Sequence, residues 1–178
     1  MGIYIGTDIS KKPFETTLCL VPRNICIGIG CKRGTSLADI RNRINSGMPT
    51  IAECGGFMYL HDIMEDNDGM KHKMAGVFDG KAYKTSKLRR FGYIKMTVER
   101  DNILCKKYDT FPVHEFHYWD STLCGEDFTA EKSDGRSWKC AYANENMYAG
   151  FPHLYFYSDI KMAKNFVRRC LEYGEYNG

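Results

Sequence analysis

Cys54 stands in Thr50-Ile51-Ala52-Glu53-Cys54-Gly55-Gly56-Phe57-Met58-Tyr59-Leu60, where a short apolar run of strand type stops at a cysteine, two glycines follow and a helical pattern begins. This is the sequence form of a nucleophile elbow. Such a strand-to-helix turn holds one side chain in a strained, exposed position, needs glycine beside it, and leaves the next helix's free N–H groups near the sulfur. A helix N-terminus favours negative charge, so the expectation is a thiol of lowered pKa that ionises readily. The geometry serves hydrolases and transferases alike.

A cysteine nucleophile needs a base. Five histidines are available: His61, His72, His114, His117 and His153. His153 is the best placed. In Ala149-Gly150-Phe151-Pro152-His153 glycine and proline fix the backbone in a loop, and no helical face demands an imidazole. The competing reading is a surface or packing histidine. A second cluster, His114-Glu115-Phe116-His117-Tyr118, reads as a strand that places both histidines on one face with Glu115 opposite. It lacks a third metal ligand, and it misses H-E-x-x-H because the second histidine comes one position early. A substrate-facing or structural strand is the preferred reading, and no metal is expected.

Gly28-Ile29-Gly30-Cys31-Lys32-Arg33-Gly34-Thr35-Ser36 is a glycine-rich turn that either seats an anion at a helix start or simply caps that helix. It departs from the nucleotide loop G-x-x-x-x-G-K-[ST], since Thr35 follows Gly34.

These residues need elements to hold them. Residues 1–24 read as an irregular lead punctuated by Pro13 and Pro22, followed by a strand over 25–30. A helix is expected over 36–46, capped by Thr35 or Ser36, with Leu37, Ile40 and Ile44 on one face. Residues 48–52 form a strand feeding Cys54, and 56–64 a helix with Phe57, Tyr59, Leu60, Ile63 and Met64 apolar. Strands are expected near 74–78, 91–99, 112–119 and 137–148, then a loop or short strand at 152–155. An amphipathic helix over 159–173 would turn Ile160, Ala163, Phe166, Val167, Cys170 and Leu171 inward.

With 178 residues, 43% of them hydrophobic and 13% aromatic, the chain can bury a real core. Its net charge of +3 comes from 25 basic and 22 acidic residues that are interleaved, which gives nucleic-acid binding no support. No apolar stretch is long enough to span a membrane and no secretory signal opens the chain, so no membrane contact and a cytoplasmic location are expected. The eight cysteines include no C-x-x-C pair, and reduced thiols are the expectation.

Three motifs occur in order: Ala52-Glu53-Cys54-Gly55-Gly56-Phe57-Met58-Tyr59-Leu60, His114-Glu115-Phe116-His117-Tyr118 and Gly150-Phe151-Pro152-His153-Leu154-Tyr155-Phe156-Tyr157-Ser158. Together they make residues 40–178 resemble the glutamine amidotransferase domain of the cobyrinate a,c-diamide synthase family. The resemblance implies an α/β fold, a class I glutamine amidotransferase-like (flavodoxin-like) domain that is N-terminally incomplete. It further implies that Cys54 attacks the side-chain amide of glutamine with His153 as base, and that Gly55, Gly56, His114, Glu115 and His117 bind substrate. Where this superfamily commonly carries a glutamate two positions after the histidine, this chain has Tyr155, so a Cys–His dyad is expected.

The family's ammonia goes to an ATP-activated carboxylate of a corrinoid on the route to cobalamin. The resemblance therefore implies glutamine as partner, and a corrinoid substrate and a separate synthetase subunit as further partners. It implies no cofactor in this chain, with ATP and Mg needed by the missing synthetase part. Glutaminase chemistry is the most this chain alone would perform. Residues 10–36 resemble a segment of cobalt-precorrin-5A hydrolase, which divides the chain into 1–39 and 40–178. The alternatives are a non-catalytic corrinoid- or partner-binding remnant and a hydrolase-related protein.

Overall fold

The computed structural model describes residues 3–8, 15–20, 29–30 and 36–176. The chain runs β1 (Ile3–Asp8), β2 (Glu15–Leu20), β3 (Ile29–Gly30), α1 (Leu37–Asn45), β4 (Thr50–Glu53), α2 (Gly55–Tyr59), β5 (His61–Glu65), β6 (Lys71–Lys73) and β7 (Phe78–Lys84). It continues through β8 (Arg90–Val98), β9 (Thr110–His117), β10 (Trp119–Ser121), β11 (Phe128–Glu131), β12 (Ser137–Cys140), β13 (Tyr142–Ala143), β14 (Met147–Gly150), β15 (His153–Leu154) and α3 (Ile160–Tyr176).

Among the described residues these strands form three sheets. The first has the order β13-β14-β4-β1-β2-β3, the second β10-β7-β5-β6 and the third β12-β11-β8-β9-β15. In the first sheet β4 lies between β1 and β14 and is parallel to both. All four residues of β4 and of β14 are buried, as parallel strands covered on both faces must be. Alternation along them sorts side chains into two cores. Ile51 and Tyr148 point into a core with α3 and the third sheet, while Ala52 and Ala149 point into one with α1, α2 and the second sheet. The first sheet is thus the middle layer of an α/β fold.

α1 begins at a capping box: the Ser36 hydroxyl accepts the Asp39 N–H, and the Asp39 carboxylate accepts the Ser36 N–H. Its buried face is Ile40 and Ile44. The expected strand at 25–30 is described only at Ile29–Gly30, and the anion-loop residues 31–35 lie outside the described residues.

Several expectations are corrected. The lead is not irregular where it is described, because β1 and β2 pair in register from Ile3↔Leu20 to Asp8↔Glu15; their β-branched residues suit a sheet, and Pro13 and Pro22 lie outside both strands. The helix after Cys54 ends at Tyr59 instead of running to residue 64. There the His61 ring, through Nδ1, donates to the Phe57 carbonyl at 2.9 Å and closes the last turn, and residues 61–65 pair with β7 as a strand. The strand expected near 74–78 begins only at Phe78. On α3 the inward residues are Met162, Phe166 and Cys170, four apart, whereas Ile160, Val167 and Leu171 are exposed.

Candidate functional site

Cys54 follows the last residue of the central strand, the end of a parallel sheet where ligands are usually held. Its backbone is forced to φ 47° and ψ −106°, a conformation that costs about 1–3 kcal/mol for a residue with a Cβ. The turn is held because the Cys54 N–H donates to the Gly150 carbonyl at 2.9 Å and the Cys54 carbonyl accepts from Met58 at 3.0 Å. Gly55 and Gly56 open α2 and are buried.

Four contacts fix the segment carrying His153. Gly150 pairs with Glu53 across the parallel ladder, and the Leu154 N–H donates to Glu53 Oε1 at 2.7 Å. The fully buried Tyr148 hydroxyl donates to the Pro152 carbonyl at 3.1 Å, and the Phe151 ring packs edge-on to Phe57 at 5.2 Å. The Cys54 backbone is therefore bonded to Gly150, three residues before the histidine, and the Glu53 carboxylate to Leu154, directly after it.

The electrostatics correct one expectation. Burial pushes the Cys54 thiol up to about 11, and the carboxylates of Glu53 and Glu115 push the same way; the Gly55 N–H only partly offsets them. α2 is five residues long, too short for a large macrodipole to outweigh desolvation. The resting thiol is thus neutral at pH 7. His153 moves oppositely: burial, then His114 and His117, lower it from 6.5, with Glu115 opposing. It is a neutral imidazole at pH 7, able to take a proton.

The second motif lies on β9, and its faces differ from expectation. Residues three apart in a strand point to opposite sides, so Glu115 and His117 share the buried face while His114 lies on the other with Phe116. His114 pairs in register with both Tyr93 and His153, so these three side chains form a row across the third sheet. On the buried face the His117 ring stacks on Phe151 with centroids 4.0 Å apart and planes at 10°. His117 Nδ1 donates to the Trp119 carbonyl at 2.5 Å, and Nε2 meets Glu115 Oε1 at 3.2 Å. Glu115 Oε2 is buried with no hydrogen-bond partner.

Glu53, Tyr148 and Phe151 carry positional work that their sequence context did not assign. Glu53 had a signal: an acidic residue ending a fully buried strand must find a partner. Cys54, Cys105, Cys124, Cys140 and Cys170 are free thiols, and among the described residues no cluster of His, Cys, Asp and Glu could hold a metal ion. No described helix is long and apolar enough to cross a membrane.

Comparison with known proteins places the chain in a family. The profile of the CobB/CobQ-like glutamine amidotransferase domain matches residues 32–160. A cobyrinate a,c-diamide synthase of Caldanaerobacter subterraneus subsp. tengcongensis is 36% identical over 143 residues, covering 78% of this chain and 31% of that protein. One from Priestia megaterium is 36% identical over 173 residues, covering 95% of this chain and 34% of that protein. The chain thus spans about a third of the length of the curated relatives it matches. A solved glutamine amidotransferase shares the fold, with a TM-score of 0.50 at 15% identity over 75% of this chain and 67% of that one.

Proposed function

The chain belongs to the CobB/CobQ-like glutamine amidotransferase family, and we propose that it cleaves the side-chain amide of glutamine, with Cys54 as nucleophile and His153 as base. This reading is supported by two bonds, Cys54 N–H to the Gly150 carbonyl and Leu154 N–H to the Glu53 carboxylate, which tie the elbow to the segment that carries His153.

His153 takes the thiol proton as Cys54 Sγ attacks the amide carbon, since a thiol held near 11 supplies little thiolate beforehand. The Gly55 N–H, which lowers the thiol from the next position, is the proposed donor to the developing oxyanion. The imidazolium then protonates the amide nitrogen, the C–N bond breaks, ammonia leaves and a glutamyl thioester remains. His153 next removes a proton from water, hydroxide attacks the thioester, and glutamate departs as the thiol is restored. Glu115 Oε2 is the free acceptor for a substrate N–H or ammonium group. Gly55 and Gly56 are the proposed seat of the substrate; His114 shares the sheet face of His153 and is placed to meet it, whereas His117, buried against Phe151, supports that segment by packing.

We further propose that the ammonia passes to a carboxylate activated with ATP and Mg by a synthetase polypeptide; the relatives' length, about three times this chain's, has room for such a part, and their name points to the corrinoid cobyrinate as acceptor. The sheet face that carries His114 and His153 also exposes Phe91, Tyr93 and Phe116, with exposures of 57%, 81% and 44%. Beside it a cleft of about 560 Å³ is lined by Arg89, Arg90, Lys132, Arg136, Phe91 and Trp138. An apolar surface edged by cations supports the docking of such a polypeptide. The direct test is release of ammonia and glutamate from L-glutamine by the purified chain and by Cys54→Ala. Turnover that survives in the variant contradicts the assignment.

A further inference from the structure

The assigned dyad lacks an orienting acid. The residue two positions after His153 is Tyr155, whose side chain is 59% exposed, and the His153 ring has no hydrogen-bond partner among the described residues. Yet a base that must meet a thiol needs its position fixed, since a displacement of about 1 Å can cost about 10²-fold in rate.

Glu53 meets that need through the backbone. It ends β4, its side chain is nearly buried, and its Oε1 accepts the Leu154 N–H at 2.7 Å across 101 positions of sequence. Its own chain neighbour, Cys54, donates to Gly150 at 2.9 Å. His153 therefore sits between two anchors, both made by the two residues Glu53 and Cys54. β15 also pairs with β9, His153 with His114 and Leu154 with Val113, so the Glu53 bond ties a strand already held by the third sheet to the elbow in the first. A bond between a carboxylate and an N–H is the stronger, charge-assisted kind.

We propose that Glu53 is the positioning residue of the Cys54–His153 dyad, holding the histidine by its backbone in place of an acid bonded to the imidazole. This rests on the proposed glutaminase reading. Glu53 works through the oxygen that receives the Leu154 N–H, so Glu53→Gln, which keeps an oxygen there, preserves the dyad and Glu53→Ala does not. Its charge acts separately: with Glu115 it faces Cys54, whereas His114, His117 and Glu115 face His153.

The test is the rate at which iodoacetamide alkylates Cys54 at pH 8, followed by peptide mass spectrometry in the full chain. It compares wild type, His153→Ala, Glu53→Ala and Glu53→Gln, each checked for folding by circular dichroism, with glutaminase kcat and KM measured in parallel. Loss of the base in His153→Ala is expected to slow alkylation at least about tenfold. Glu53→Ala should reproduce that loss and lower kcat roughly 10²-fold with little change in KM, while Glu53→Gln retains most of both activities. If Glu53→Ala does not fold, Glu53→Asp carries the same test, because it keeps the charge and shortens the reach. Two results overturn the proposal: a folded Glu53→Ala, or Glu53→Asp in its place, that alkylates like wild type while His153→Ala does not, or a Glu53→Gln as impaired as Glu53→Ala. If His153→Ala itself alkylates like wild type, the dyad reading fails instead, and the positioning role with it.

Discussion

His117 stacks on Phe151 with ring centroids 4.0 Å apart and planes 10° from parallel, and this contact joins the β9 motif to the segment that carries His153. Phe151 is buried between that imidazole and Phe57. Removing it should open a cavity at the junction of two motifs. Phe151→Ala is expected to lose about 3–5 kcal/mol of stability. Phe151→Leu should lose less. Urea unfolding of both variants checks the order, and equal stability of Phe151→Ala and wild type would contradict the packing described.

Gly150 has no room for a side chain. A Cβ there would lie 2.6 Å from the Ala141 Cβ and 3.0 Å from its Cα. Ala141 is itself held at φ 55°, so it cannot withdraw freely. Gly150→Ala should destabilise the fold by about 1–3 kcal/mol and, because Gly150 receives the Cys54 N–H, should also slow Cys54 alkylation. Thermal unfolding and labelling of the same sample would show whether both effects appear.

The raised thiol predicts a pH dependence of a definite sign. With Cys54 held at about 11, its thiolate fraction, and so its background alkylation in His153→Ala, should rise about tenfold for each pH unit from 7 to 10. A plateau below pH 8 in that variant would mean that the helix terminus, not burial, sets the thiol. In wild type, activity needs neutral His153, whose value is lowered from 6.5, so kcat/KM should fall with acidification only below that pH.

Buried His61 gives a stability prediction. Burial lowers its pKa from 6.5, with the Phe57 carbonyl opposing, so the unfolded chain binds the proton more tightly than the folded one. The stability it contributes is therefore present above about pH 6.5 and is lost as pH falls through the lowered folded value. NMR titration of the His61 ring should give a midpoint below 6.5, and a midpoint above it would reverse the sign.

Glu115→Gln should weaken substrate binding more than turnover, since the orphan Oε2 becomes an amide while the backbone around Cys54 is untouched. Glutaminase KM is expected to rise about tenfold or more, the loss typical of one hydrogen bond to a charged group. An unchanged KM with an unchanged kcat would remove Glu115 from the binding site.

What was legible in the sequence was local. The elbow at Cys54 and the helix cap, expected at Thr35 or Ser36 and found at Ser36, each depend on a few consecutive residues, so type and spacing sufficed. Longer-range outcomes were not. The helix expected to reach residue 64 stopped at Tyr59 because His61 bonds back to Phe57 and β5 finds a partner in β7. The apolar residues of α3 fit two faces, and only packing against the third sheet chose Met162, Phe166 and Cys170. The thiol was misjudged because desolvation depends on what surrounds Cys54, including Glu115 from a distant strand. Glu53 escaped notice since its partner lies 101 residues away.

The most direct measurement of the central claim is reaction of the folded chain with a chloroketone analogue of glutamine, mapped by mass spectrometry. A single adduct on Cys54 is predicted, slowed by excess L-glutamine and by roughly 10²-fold or more in His153→Ala. A folded protein that takes no label on Cys54, or takes it equally with glutamine present and His153 absent, would contradict the account.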